Sequence, residues 1–195
     1  MVRHEVRGPR RRSAAVSSGE VNLSGVLDYL APAFRESIHA AAGRYRQMNV
    51  RFALIGGIAA SAYSQPRNTK DIDFLVGDEA FDTVGVIISP RAGLPVETIL
   101  GVPIDSIPPH IEYRELYERA LNEAVESDEP GIPIAPPDLV AVTKLEGGRL
   151  HDIAAVVEML RAGTVDLDEL ERLVQPYQKL RDRCARARRE LEGND

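Results

Sequence analysis

Apolar positions first recur at helical spacing. Leu23, Val26, Leu27 and Leu30 fall three and four residues apart, which predicts a helix from about residue 23. Pro32 interrupts it, and a second helix is expected to run to about Met48. The period then changes. "VRFALIGG" is a short apolar run of strand formers that stops at two glycines, which predicts a strand over 51–55. "IAASAYS" reads as a short helix of small residues, Pro66 and Asn68 as a loop, and "KDIDFLV" as the next strand.

"PVETILGVPIDSIP" reads as two short strands around Gly101–Pro103, with Asp105 in the second. "YRELYERALNEAVE" is expected to be one helix with charges paired four residues apart, and "GIPIAPP" a strand or connector. "PDLVAVTKLEGG", with Asp138 near its start, and "LHDIAAVVEMLRAG", ending at Gly163, read as helices. "DLDELERLV" and "YQKLRDRCARARRELEG" read as two more. Strands and helices alternate early and helices dominate late. The expected class is α+β (α/β): a small mixed β-sheet core with flanking helices and a helical C-terminal region. The expected division is a disordered basic tail over 1–20, a main domain over 21–162 and a C-terminal helical extension over 163–195.

Composition narrows the classes. With 195 residues, 44% hydrophobic and 28% charged, the chain can bury a real core and is not wholly disordered. A net charge of -6 removes any global field that would attract nucleic acid, so RNA would need a local basic patch. Two patches qualify: Arg10, Arg11 and Arg12 in the tail, and Lys179, Arg181, Arg183, Arg186, Arg188 and Arg189 in the last helix. Asp182, Glu190 and Glu192 interrupt the second, which also reads as a solvated face. The single cysteine, Cys184, excludes an internal disulfide framework, and the four histidines lack metal-ligand spacing. No run reaches the roughly 20 apolar residues of a membrane span, and the N-terminus has no apolar signal region. A cytoplasmic protein is the expectation.

The chemistry gathers in the second strand. Asp71 and Asp73 are two residues apart in "DIDF", so both carboxylates point to one face of a strand. Two carboxylates this close repel each other, and burial raises the cost. They call for a cation: either a divalent metal such as magnesium, or the adjacent Arg67 or Lys70. Asp105 joins them if its strand pairs with "DIDF", and then either completes a two-metal site or accepts a proton from an attacking hydroxyl; otherwise it is a surface strand residue. Gly56 and Gly57, between a strand and a helix, are candidates for a backbone phosphate site or simply for a tight turn.

"GGIAASAYSQPRNTKDIDFLV", with thirteen residues between Gly57 and Asp71, resembles the nucleotidyltransferase superfamily of the DNA polymerase β-like fold. It looks most like the bacterial abortive-infection (AbiEii-like) toxin-type members, and "PPDLVAVTKLEGGRLHDIAAVVEML" resembles their later helices. The resemblance implies a magnesium-dependent transfer of a nucleoside monophosphate from an NTP to a hydroxyl acceptor. RNA, in particular tRNA, is the acceptor it favours, and an antitoxin or other partner protein is implied. It assigns Asp71, Asp73 and Asp105 to Mg2+ and catalysis, and Gly56, Gly57, Lys70 and Lys144 to the nucleotide. Arg149, His151 and Asp152 have weaker claims, with an Arg149–Asp152 ion pair as the simpler reading. Many members carry Ser or Thr after the glycines, where this chain has Ile58, and that puts nucleotide affinity in doubt. The alternative is a nucleotidyltransferase-fold binding or regulatory module acting with a partner.

Overall fold

The computed structural model describes residues 21–82 and 97–193. The tail 1–20 with its three arginines lies outside them, as does 83–96, where the expected third strand was to begin. Two helices, α1 (Ser24–Tyr29) and α2 (Pro32–Gln47), precede the sheet, and Pro32 starts α2 where its missing N–H costs nothing. The strand–helix–strand unit follows as β1 (Phe52–Ile55), α3 (Gly56–Ala62) and β2 (Ile72–Val76). After the short α4 (Glu79–Asp82) come β3 (Glu97–Ile99) and β4 (Val102–Ile107), then α5 (Arg114–Asn122), β5 (Val125–Glu126) and β6 (Pro133–Ile134). The chain ends in α6 (Pro137–Gly147), α7 (Leu150–Ala162), α8 (Leu167–Val174) and α9 (Gln178–Glu192).

The strands form one mixed sheet in the order β3-β4-β2-β1-β6-β5. The central pair β1 and β2 is antiparallel, β2 runs parallel to β4, and β1 runs parallel to β6. All four residues of β1 are buried, as expected of a strand covered on both faces. The class expected from the sequence is therefore the one observed.

Register decides what each face carries. Phe74 lies opposite Ser106 on the β2–β4 pair, and both turn toward α2. There Phe74 packs on Tyr45 and Phe52 at ring separations of 5.3 and 5.8 Å, and the Tyr45 hydroxyl and Ser106 Oγ share a 2.7 Å hydrogen bond. The preceding pair, Asp73 opposite Asp105, must point to the other face. A slip of one residue would place the aspartates against the aromatic cluster, so burial of Phe74 locks the register.

The second face is covered by α3 and α5, α6 packs on both, and α7 and α9 pack against α6. Leu145, Val156, Leu180 and Cys184 continue the core between these helices.

Two expectations need correction. The α5 helix stops at Asn122, and Val125 and Glu126 instead pair with Ile134 and Pro133 in β5–β6. A helical charge pattern cannot foresee a two-residue ladder formed with the strand that follows. "DIDF" was expected to lie wholly within a strand, but β2 begins at Ile72, so Asp71 stands just before it. Among the described residues no helix is long and apolar enough to cross a membrane.

Candidate functional site

The ends of β1, β2 and β4 meet the start of α3 and the last turn of α6. Asp73 and Asp105 are in-register neighbours on parallel strands, and both are partly buried. Asp71 stands exposed at the entrance to β2. The turn from β1 into α3 passes directly over Asp73. Gly56 has a φ of +72°, and a Cβ built on it would lie 1.8 Å from Asp73 Oδ2. Glycine is thus required there twice, for its left-handed backbone and for the close approach of a carboxylate. The Gly57 N–H donates to the same side chain. The glycines therefore make a tight turn that cradles Asp73, one of the two roles the sequence left open to them.

Asp73 is the stressed group of the site. Burial, together with the charges of Asp71 and Asp105, pushes its carboxyl up to about 6, against the opposing pull of Lys144 and the Gly57 hydrogen bond. Arg67 does not relieve it, because Arg67 pairs with Glu158 on α7. Lys70 is exposed and lines the cleft beside Asp71.

Lys144, in the last turn of α6, is largely buried and reaches Asp152 Oδ1 at 3.4 Å. Asp152 is 1% exposed and also accepts from Arg149 Nε at 3.0 Å and from the Arg149 N–H at 3.2 Å. Burial works to raise its carboxyl, but Arg149 and Lys144 hold it below the usual carboxylate range. The expected Arg149–Asp152 ion pair is present, and it is part of the site: the field of Asp73 and Asp71 reaches Arg149. His151 is exposed and its Nε2 lies 3.6 Å from Asp152 Oδ1.

Two cavities share this corner. A cleft of about 560 Å³ is lined by Gly57, Thr69, Lys70, Asp71, Lys144 and Arg149, among others. A smaller one of about 220 Å³ is lined by Gly56, Asp105, Tyr117, Glu146 and Asp152. Asp73, Lys144 and Arg149 face both. The first is rich in cations and hydroxyls, the second in carboxylates.

Ile58 is buried, 1% exposed, and contributes nothing to either cavity. Thr69, which sequence reasoning passed over, does contribute: its Oγ1 donates to Asp71 Oδ1 at 3.0 Å. Its signal was the Thr-x-Asp spacing, a local side-chain bonding pattern that is too common to single out by itself.

In the last helix several of the candidate cations are engaged within the protein. Arg183 donates to the Leu145 carbonyl at 2.8 Å and to that of Glu146, closing the end of α6. Arg186 pairs with Glu190, and Arg188 with Glu171 and Glu192.

The donor set is chemically suited to a hard divalent cation, since carboxylate oxygens bind Mg2+ and burial, with repulsion from Asp71 and Asp105, already disfavours the uncompensated charge of Asp73. Among the described residues, no three such groups converge on one point as they stand. Asp71 is the exposed member, and it lines the larger cleft together with Asp73.

No protein-family model matches the chain, and no curated protein matches it. Among solved structures it is similar to an antigenic nucleotidyltransferase-like protein from Paracoccidioides brasiliensis. The TM-score is 0.50, with 15% identity over 84% of this chain and 92% of that one. At that identity the likeness speaks for the fold: this chain has a nucleotidyltransferase-like α+β fold.

Proposed function

We propose that the chain is a Mg2+-dependent nucleotidyltransferase that transfers a nucleoside monophosphate from an NTP to a hydroxyl acceptor. The observation that carries this reading is the in-register pairing of Asp73 with Asp105, with Asp71 two residues ahead, under the Gly56 turn and beside Lys144.

Asp71 and Asp73 would hold the cation, with Asp105 as the third carboxylate. Magnesium bound there would neutralise the departing pyrophosphate and polarise the α-phosphate. The chain's own residues do the rest. Lys144 and Arg149 face the larger cleft and present positive charge to the triphosphate, while Asp152 fixes both in place. Lys70 adds charge at the cleft's edge. Asp105, in the smaller cavity, accepts the acceptor's proton as its oxygen bonds to the α-phosphorus and the bond to pyrophosphate breaks. The nucleotide's phosphates and the acceptor hydroxyl would meet where the two cavities join, at Asp73, Lys144 and Arg149.

RNA as the acceptor, with tRNA foremost, and a toxin-type role with an antitoxin partner rest on the sequence resemblance. The cations at the larger cleft offer a local basic rim, and α9 offers none that is unpaired with acidic or carbonyl groups at Arg183, Arg186 and Arg188.

The test is incubation of the protein with Mg2+, each labelled NTP in turn and total cellular RNA, beside an Asp71→Ala/Asp73→Ala variant. Label on RNA with the unmodified chain alone is the expected result. Label on the protein itself redirects the acceptor to a side chain. NTP binding without transfer, lost in the variant, favours the regulatory module. The reading fails if no NTP is bound or transferred.

A further inference from the structure

We propose that Thr69 is a positioning residue for Asp71, holding that carboxylate in the orientation in which it receives a divalent cation together with Asp73. This rests on the metal reading above and adds to it a residue to which that reading gave no role.

Asp71 stands outside the sheet ladder and is exposed, so the strand does not hold its side chain. An exposed carboxylate samples several rotamers, and each must be given up when it binds an ion. Thr69 restricts that freedom. Its Oγ1 lies 3.0 Å from Asp71 Oδ1 and 3.2 Å from the Asp71 carbonyl oxygen, so one hydroxyl bridges the side chain and the main chain of the same residue. Threonine is stiff at χ1, and the hydroxyl it presents is correspondingly fixed.

The surroundings hold Thr69 in turn. A Cβ on Gly57 would lie 3.1 Å from Thr69 Oγ1 and 3.5 Å from its Cβ, so the bare backbone of Gly57 forms the floor on which Thr69 rests. The loop carrying it is tied to α7 by the Arg67–Glu158 pair.

The charge balance points the same way. A stabilising turn beside two repelling carboxylates would gain most from a cation, yet Arg67 turns to Glu158 and the neutral Thr69 bonds Asp71. A hydroxyl orients Asp71 and leaves its negative charge for an incoming ion, which an arginine would cancel.

The experiment measures Mn2+ binding by the full chain, by electron paramagnetic resonance, with Mg2+ as competitor. The variants are Thr69→Val, Thr69→Ala and Thr69→Ser, each alone and in an Asp71→Asn background. Val and Ala are expected to bind Mn2+ about tenfold more weakly, the low end for an outer hydrogen-bond partner of a ligand. Ser, which keeps the hydroxyl, is expected to stay within about twofold of the unmodified chain, and none of the three should weaken binding further once Asp71 is Asn. Thermal unfolding in chelator separates this role from a merely stabilising turn, since a lowered melting temperature that accompanies unchanged Mn2+ affinity overturns the proposal. So does a loss that persists undiminished in the Asp71→Asn background. Absence of Mn2+ binding by the unmodified chain overturns the metal reading itself, and this role with it.

Discussion

Gly56 and Asp73 occupy one place. A side chain on Gly56 would sit 1.8 Å from Asp73 Oδ2, and the Gly57 N–H that follows donates to the same carboxylate. The backbone of one strand end thus forms the wall of the pocket that holds the site's most perturbed acid.

Gly56→Ala should therefore be among the most costly small changes in the chain. It combines a left-handed φ of +72° with a collision that only movement of Asp73 can relieve. A stability loss on the order of 2 kcal/mol or more is expected from urea unfolding. Gly57→Ala, whose Cβ would meet Thr69 Oγ1 at 3.1 Å, should cost clearly less. Equal costs would contradict the cradle.

Asp73→Asn should stabilise the metal-free protein at neutral pH. A carboxyl moved from 3.8 up to about 6 is disfavoured in its charged form by on the order of 2 kcal/mol, and Asn removes that charge while keeping an acceptor for Gly57. The sign follows from proton uptake: between about pH 4 and pH 6 the fold binds the proton more tightly than the unfolded chain. Ionising Asp73 thus lowers stability as pH rises through that window, and the loss is complete above it. The variant's advantage in melting temperature should therefore be present at pH 8 and vanish near pH 4. Millimolar Mg2+ should raise the melting temperature of the unmodified chain more than that of the variant. An advantage independent of pH would sink the assignment.

Gly148→Ala tests how α9 holds the end of α6. Gly148 caps α6 at a φ of +67°, and a Cβ there would lie 2.2 Å from Arg183 Cζ. About 2 kcal/mol of stability should be lost in the single variant. In an Arg183→Ala background the same change should cost about 1 kcal/mol, leaving only the backbone strain. Strict additivity in the double-mutant cycle would show that Arg183 does not crowd the cap.

Asp128→Ala should loosen α1 from the rest of the chain. Asp128 accepts from the Leu23 and Ser24 N–H groups at 2.7 and 2.9 Å and from the Ser24 hydroxyl, an N-terminal cap supplied from a distant loop. Loss of about 1–2 kcal/mol is expected. Burial opposes ionisation here, but the Ser24 and Leu23 donors hold the carboxyl below its ordinary 3.8. Its contribution is then complete above about pH 4 and fades as pH falls through the folded value. Denaturant midpoints of the two proteins should converge in acid and separate above it.

Much of this molecule is local and could be read directly from its residues. Pro32, Gly163 and the apolar periods mark where helices start and stop, because capping and φ limits act over a few neighbours. Strand alternation, a property of the backbone itself, sends Asp73 and Phe74 to opposite faces, while Asp71 lies just before the strand and escapes that rule. Tertiary structure decided the rest. The register that sets Asp73 beside Asp105 depends on Phe74 finding Tyr45 and Phe52 on the opposite face. The capping of α1 by Asp128 joins segments far apart in the chain, and the β5–β6 ladder and the Lys144–Asp152 pair depend on how successive elements fold back on each other. The Gly56–Asp73 contact, which sets the glycine turn against a buried carboxylate, likewise needs two elements to meet. Periodicity reports which face of an element is apolar. It does not say which element that face meets, because that depends on packing the whole core at once.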